Sequence, residues 1–231
     1  MKLILINKLK YFLCLIFDLG LTINIIAQTT GTFMQVNEIE AGFSYKIFQR
    51  EFDKEFVDGS TRARWDIPAI YGKYKINEWL SVNLEGAVYF TLVNLIPGRN
   101  YINYHMGGGY EALFYKFNGI NLHSVAQFDY NVNYDRSEYK YHKKQQFLIL
   151  GLKIEKIFEI EDLKMGVHIG SAYVYNKITD ESPNCIVSSE SKYNFGATFG
   201  FNMLAGENIQ IAGQVVYAYY FQPQLAIGYI F

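Results

Sequence analysis

Cysteine is nearly absent from this chain. Two in 231 residues, Cys14 and Cys185, are too few for a disulfide scaffold or a cysteine-rich zinc module. Proline (4) and tryptophan (2) are scarce as well, and scarce proline leaves long stretches of backbone able to pair in sheets. Charge of one sign is missing: 21 basic residues balance 22 acidic ones, a net of −1. That gives no electrostatic footprint for nucleic acid, so no nucleic-acid partner is expected. Beyond residue 27, no stretch approaches the ~20 continuous apolar residues of a membrane helix. The longest clean run, Phe147 to Leu152, has six residues, one of them Gly151. What the chain has instead is 20 Tyr, 18 Phe and 19 Gly, with 50% of its residues hydrophobic and 19% charged. This is too apolar for a disordered chain, and abundant Tyr and Phe with little Pro favour strands.

Residues 1–27 read as a segment apart. Lys2, Lys8 and Lys10 make a positive start, Tyr11 to Ile26 is mostly apolar, and Ile25-Ile26-Ala27 ends on a small residue. That is the tripartite layout of a secretory signal, cut after Ala27. The expected organisation is therefore a signal peptide, 1–27, and one exported unit, 28–231. Cleavage would remove Cys14 and leave Cys185 alone, so no intramolecular disulfide is expected.

The rest of the chain is dominated by a period of two. Ile39, Ala41, Phe43, Tyr45 and Ile47 alternate with Glu38, Glu40, Gly42, Ser44 and Lys46. Ile120, Leu122, Ala126, Phe128 and Tyr130 alternate with Asn121, His123, Gln127, Asp129 and Asn131, and four further segments behave alike. Such alternation marks strands with one apolar and one polar face. The segments run well past the ~5–6 residues usual in soluble proteins and suit the ~9–11 needed to cross a bilayer at a tilt. Their polar faces are rich in Gly, Asn, Ser, Thr and Gln, a composition suited to a narrow lumen. The pattern predicts an all-β fold, a transmembrane antiparallel up-and-down barrel, apolar outside and polar inside.

Ten strands are expected, near 36–48, 64–76, 79–93, 101–117, 120–134, 144–158, 163–178, 193–204, 208–220 and 224–231. Eight is the alternative, because the last connection, near Phe221–Pro223, is short. Long polar connections (Gln49–Thr61, Asn94–Asn100, Asp135–Lys143, Thr179–Lys192) alternate with short ones, among them Asn118-Gly119, a favoured hairpin turn. That turn puts Phe117, Tyr115 and Leu113 outward, whereas Ile102, Tyr104 and Met106 claim the same face from the opposite phase. A bulge near Glu111-Ala112, or a three-residue turn, would reconcile them.

The chain ends Gln224-Leu225-Ala226-Ile227-Gly228-Tyr229-Ile230-Phe231. Gln224, Tyr229 and Phe231 match the terminal signal by which outer-membrane proteins engage the barrel-assembly machinery; Ala226 stands where that signal usually has Gly. With the signal sequence, the chain resembles the small outer-membrane β-barrel proteins of Gram-negative bacteria, and its Tyr/Asn/Lys-rich style resembles those of the Bacteroidota. The resemblance implies an outer-membrane location and three kinds of partner: outer-membrane lipid, lipopolysaccharide and the assembly machinery.

Chemistry-bearing residues are few. His105, Glu111, His123, Asp129 and His168 are all expected to face the lumen, where His105 is in reach of Asn131 or Asp129 across a hairpin. A histidine held by a carboxylate is half of a general base, but a narrow lumen also needs such networks to satisfy its buried polar groups. Outer-membrane lipid-A deacylases place a His and a Ser two apart on one face; here His123 and Ser124 are adjacent and fall on opposite faces. The histidines lack short metal-ligand spacing, and Gly107-Gly108-Gly109 precedes no helix, reading as a tight or bulged part of the wall. No cofactor or metal is expected. Lys140, His142, Lys143 and Lys144 form a basic outer loop suited to lipopolysaccharide phosphate. The expected function is non-enzymatic, acting through extracellular loops or as a structural or binding barrel. The alternatives are a narrow channel or transporter for small or hydrophobic solutes, an outer-membrane hydrolase, and a soluble lipocalin-like binder.

Overall fold

A sheet whose strands all carry an apolar and a polar face leaves two unpaired edges unless it closes on itself. The computed structural model of this chain shows that closure. It describes residues 31–52, 62–92, 100–135, 142–160, 163–182, 185–191, 194–218 and 220–231; the expected signal peptide, 1–27, lies outside them.

The strands are β1 (Ile39–Glu51), β2 (Arg62–Asn77), β3 (Leu80–Leu92), β4 (Asn100–Phe117), β5 (Ile120–Asp135), β6 (His142–Ile160), β7 (Leu163–Ser182), β8 (Cys185–Glu190), β9 (Phe195–Ala205), β10 (Ile209–Ala218) and β11 (Tyr220–Ile230). Ten of them pair antiparallel around a ring, β6-β5-β4-β3-β2-β1-β11-β10-β9-β7, and β7 returns to β6. This is the ten-stranded barrel the alternation predicts. The extra strand, β8, pairs only with the upper end of β7, from Lys177↔Glu190 to Ser182↔Cys185.

Three boundaries differ from expectation, each for a local reason. The polar segment Thr179–Lys192 is largely a hairpin, because β6 and β7 rise above the wall together and β8 extends their sheet. Phe221–Pro223 is no loop: these residues pair with Val215–Tyr217, and the ladder runs up to Ala218↔Tyr220. The first strand starts at Ile39 rather than 36, because Val36 and Asn37 form a turn with Asn37 at φ 70°.

The phase conflict in β4 is resolved by a bulge. Phe117 pairs with Ile120 across Asn118 (φ 48°) and Gly119 (φ 70°), a two-residue turn of the type that needs positive φ at both positions. Higher up the register slips between Leu113 and Tyr115, leaving Phe114 as the extra residue. The bulge therefore sits slightly below the expected Glu111-Ala112, and the three glycines above it pair in regular register. Their purpose is space: a Cβ on inward Gly107 would collide with the Asp129 and Glu85 carboxylates.

The outer face is apolar and exposed on every side of the ring. Phe43, Leu84, Ile169 and Phe199 are 67%, 72%, 61% and 61% exposed. Trp79, Phe117, Phe158 and Phe231 stand exposed at the lower strand ends, where amphipathic or aromatic rings meet headgroups. A soluble protein rarely exposes a contiguous apolar band of this kind, whereas hydrocarbon requires it.

A candidate functional site in the barrel lumen

Alternation turns every second residue inward, so the lumen collects side chains from all ten strands in stacked layers. The lower layer is ionic. Three buried carboxylates, Glu40, Glu111 and Glu155, share it with three buried ammonium groups, Lys73, Lys75 and Lys153. Lys153 Nζ lies 2.7 Å from Glu111 Oε1, and Lys73 Nζ 3.9 Å from Glu111 Oε2. His123 spans two carboxylates, its Nδ1 3.0 Å from Glu111 and its Nε2 3.2 Å from Glu155. Asn202 donates to Glu155 at 3.0 Å, and the Tyr71 hydroxyl donates to Glu40. Large side chains fit here because the facing positions are small: a Cβ at Gly166 would meet Glu155, and one at Gly200 the His168 ring.

The chain below β1 closes this layer from beneath. Gly31 N–H donates to Glu111 at 2.9 Å, the Thr32 hydroxyl to Glu155 at 2.7 Å, and Lys75 Nζ to the Gly31 carbonyl at 3.0 Å. Met34 then packs on Leu204 and Ile230. A cavity of about 440 Å³ remains beside this segment, bordered by Lys75, Trp79, Glu111 and His123.

The middle layer is built on Lys46, which is 1% exposed. It contacts Glu85 and lies 3.5 Å from Asp129. His105 Nε2 faces Glu85 at 3.2 Å, and its Nδ1 faces Asn131 Oδ1 at 2.6 Å. Because Asn131 donates its own amide to Gln145 at 3.0 Å, its oxygen is left to accept from Nδ1–H. Gln127 donates to both Asp129 (2.8 Å) and Glu85 (3.1 Å). Glu85, His105 and Asp129 bring potential metal-ligand atoms within 4.8 Å of one another. They come from three different strands, so no sequence spacing announces them. Lys46 supplies the positive charge that such a trio demands.

Above the ions the lumen turns apolar. Phe48, Ile67, Phe147, Ile149, Val174 and Val216 form one buried cluster, with the Phe48 and Phe147 rings meeting at a 45° tilt, centroids 4.1 Å apart, across the barrel. Phe52 and Ile178 make a second cluster above it.

All five lumen residues read from the sequence are buried inside: Glu111 and His123 in the lower layer, His105 and Asp129 in the middle one. His168 is 1% exposed, with Nε2 3.1 Å from Gln214. The assembly-signal residues divide by face: Gln224 is buried inside, while Tyr229 and Phe231 meet edge-to-face outside with ring centroids 4.9 Å apart. His123 points inward and Ser124 borders an outer groove with Leu150 and Leu152. Lumen charge is denser than the Gly- and amide-rich lining the sequence suggested, for Lys46, Glu85, Lys73, Lys153 and Glu155 all take part. Of the basic group expected in an outer loop, His142, Lys143 and Lys144 lie in β6, where Lys144 pairs with Glu181 at 2.8 Å and Lys143 with Asp180 at 4.0 Å; Lys140 lies outside the described residues. Cys185 begins β8.

No family model matches the chain, and no curated protein does. Among solved structures it is similar to the outer membrane protease OmpT of Escherichia coli, with 11% identity and a TM-score of 0.43 over 91% of this chain and 95% of that one. It is similar also to the outer membrane protein AlkL (10%, 0.41, 91% and 97%) and to Ail, the attachment invasion locus protein of Yersinia pestis (14%, 0.30, 86% and 100%). At these values the likeness is one of barrel architecture, and what those proteins do is not carried to this chain.

Proposed function

We propose that this chain is a non-enzymatic outer-membrane β-barrel of a Gram-negative bacterium, a sealed structural or binding barrel that acts through its wall and outer end. The observation that carries this reading is the filled axis. A buried ionic layer, an apolar layer and the 31–34 segment follow one another along it. Ten strands already enclose little more than their own side chains, and here those side chains interlock. His123, which borders the lower cavity, has both ring nitrogens engaged by Glu111 and Glu155, and His105 is held between Glu85 and Asn131, an arrangement that speaks against the hydrolase. The membrane setting is supported by the exposed apolar band and the aromatic lower rim. Tyr229 and Phe231, outward at the last strand, and Gln224 suit recognition by the assembly machinery. Lipid and lipopolysaccharide are the expected surroundings, although Glu181 and Asp180 already occupy Lys144 and Lys143.

Planar-bilayer recording of the detergent-folded protein tests the sealed axis. The expected result is silence at moderate voltage. Reproducible unitary conductance would refute it and restore the narrow-channel reading.

A further inference from the structure

The ring is not paired over its whole height. The β2–β3 ladder rises from Asn77↔Leu80 and stops at Ile70↔Gly86, although β2 continues up to Arg62 and β3 to Leu92. The β1–β11 ladder likewise stops at Lys46↔Gln224, while β1 continues to Glu51 against β2. Above these levels β1 and β2 form a two-stranded ribbon that leaves the wall. It leans across the mouth: Phe48 meets Phe147 of β6, five strands away and so diametrically opposite, and Phe52 bridges to Ser191 just past β8. A proline stands in each parting seam, Pro68 in β2 and Pro223 in β11. An unmet N–H is costly in hydrocarbon, and proline has none to leave unmet.

Beneath the departing ribbon the outer wall carries a hollow of about 470 Å³ running from β11 across β1 and β2 to β3. Its sides are Phe43, Ile70, Val88 and Leu225, and its floor includes Ala69 and Ala87; among the described residues no charged side chain lines it. The two alanines face both ways. Ala69 belongs to the apolar cluster of the lumen and Ala87 packs against it. Here two small side chains stand between the lipid-facing surface and the apolar interior.

We propose that this hollow is a lateral seat for a single unbranched acyl chain, taken from the surrounding lipid and laid against Ala69 and Ala87 beneath the β1–β2 ribbon. The occupant follows from the surroundings. The hollow opens on the apolar outer face, where Phe43, Ile70 and Val88 are more than 60% exposed, so hydrocarbon is what it meets. Its floor of Ala and Gly86 admits a chain that a Leu or Phe would exclude. The lack of charge within it leaves the headgroup outside, and the phospholipid that surrounds the barrel is the source of the chain. The proposal rests on the membrane setting and is independent of the sealed axis.

The test uses the full exported chain in nanodiscs with palmitate bearing a terminal diazirine, and separately with phosphatidylethanolamine bearing the same group on one acyl chain. Heat-modifiable gel mobility is checked first; a chain that partitions as a soluble monomer there fails the membrane setting, not the seat. Photolabelling of the folded barrel by the phospholipid probe is expected to saturate at one site, in peptides holding Ala69–Ile70 or Gly86–Val88. Saturation by palmitate alone would overturn the phospholipid as occupant. Ala87→Phe should lower labelling about tenfold, the loss of ~1.4 kcal/mol of binding, while Ile169→Phe, on the outer face of β7, leaves it unchanged. Should Ala87→Phe fail to fold, Val88→Trp, on the rim, serves in its place. Labelling spread around the belt, without saturation and indifferent to these substitutions, overturns the proposal.

Discussion

Replacing Lys46 with Met removes the cation from the middle of the barrel and leaves two carboxylates facing each other there. Lys46 is 1% exposed and Asp129 0%, and the Glu85 side chain retains only 4%. The pair at 3.5 Å is worth about 5 kcal/mol of Coulomb attraction at an effective dielectric of ~20. Desolvating the ammonium offsets part of this, and breaking a buried pair by removing one partner typically costs about 3–5 kcal/mol, because the other charge stays behind uncompensated. With a urea dependence of about 1–3 kcal/mol per molar, the unfolding midpoint should fall by about 2 M. The assay is urea unfolding in lipid vesicles, followed by the heat-modifiable gel shift. The triple variant Lys46→Met, Glu85→Gln, Asp129→Asn removes the stranded charges and should recover most of the loss. If Lys46→Met alone costs less than about 1 kcal/mol, as for a solvated pair, the layer is wet rather than sealed. The reasoning that closes the axis then fails with it.

Zinc ions should raise the unfolding midpoint of Lys46→Met but not of the parent, since Glu85, His105 and Asp129 stand within 4.8 Å of one another once the ammonium is gone; at a hundredfold excess over the dissociation constant the gain is about 2.7 kcal/mol, read in the same unfolding assay. Phe147→Ala should cost about 3–5 kcal/mol, and Phe48→Ala should be less than additive with it, because the two rings share one contact at 4.1 Å. Gly107→Ala should cost about 1–3 kcal/mol by driving apart the Asp129 and Glu85 carboxylates, while Gly108→Ala, which meets the movable tip of Leu84, costs less in the same measurement.

Which residues face in and which face out was legible, because lipid outside and a packed lumen inside impose the same period on every strand. The hairpin at Asn118-Gly119 was legible too, since both positions need positive φ. The bulge was legible only as an interval. Outward Met106 and outward Tyr115 require one slip somewhere between them, and the pattern alone does not say that Phe114 is the residue expelled. What period two never encodes is partnership across the barrel. Lys46, Glu85 and Asp129 are far apart in sequence, and alternation assigns each to the lumen without saying that they meet. Strand stagger decides that, and stagger is set by the whole ring.

The apolar layer had left a trace where the alternation lapses. Phe147-Leu148-Ile149-Leu150 is apolar at every position because β6 meets lipid on one side and the Phe48 cluster on the other. Phe48 and Val216 belong to the same cluster, and each has an apolar neighbour, Ile47 or Val215, on the other face of its strand. A strand buried against apolar material on both faces reads as a continuous run, not an alternating one, so a lapse inside an otherwise strict barrel pattern is positional information about the lumen. Pro68 and Pro223 carry information of the same kind about the edges, since a strand that must pair on both sides at that height has no use for a residue without an N–H. The prolines fall where β1 and β2 depart from β11 and β3, and the lapses mark the apolar layer that the departing ribbon covers, from Phe48 to Phe147 on the opposite wall. The two prolines thus mark the sector where the wall parts, and that sector is where the apolar hollow lies.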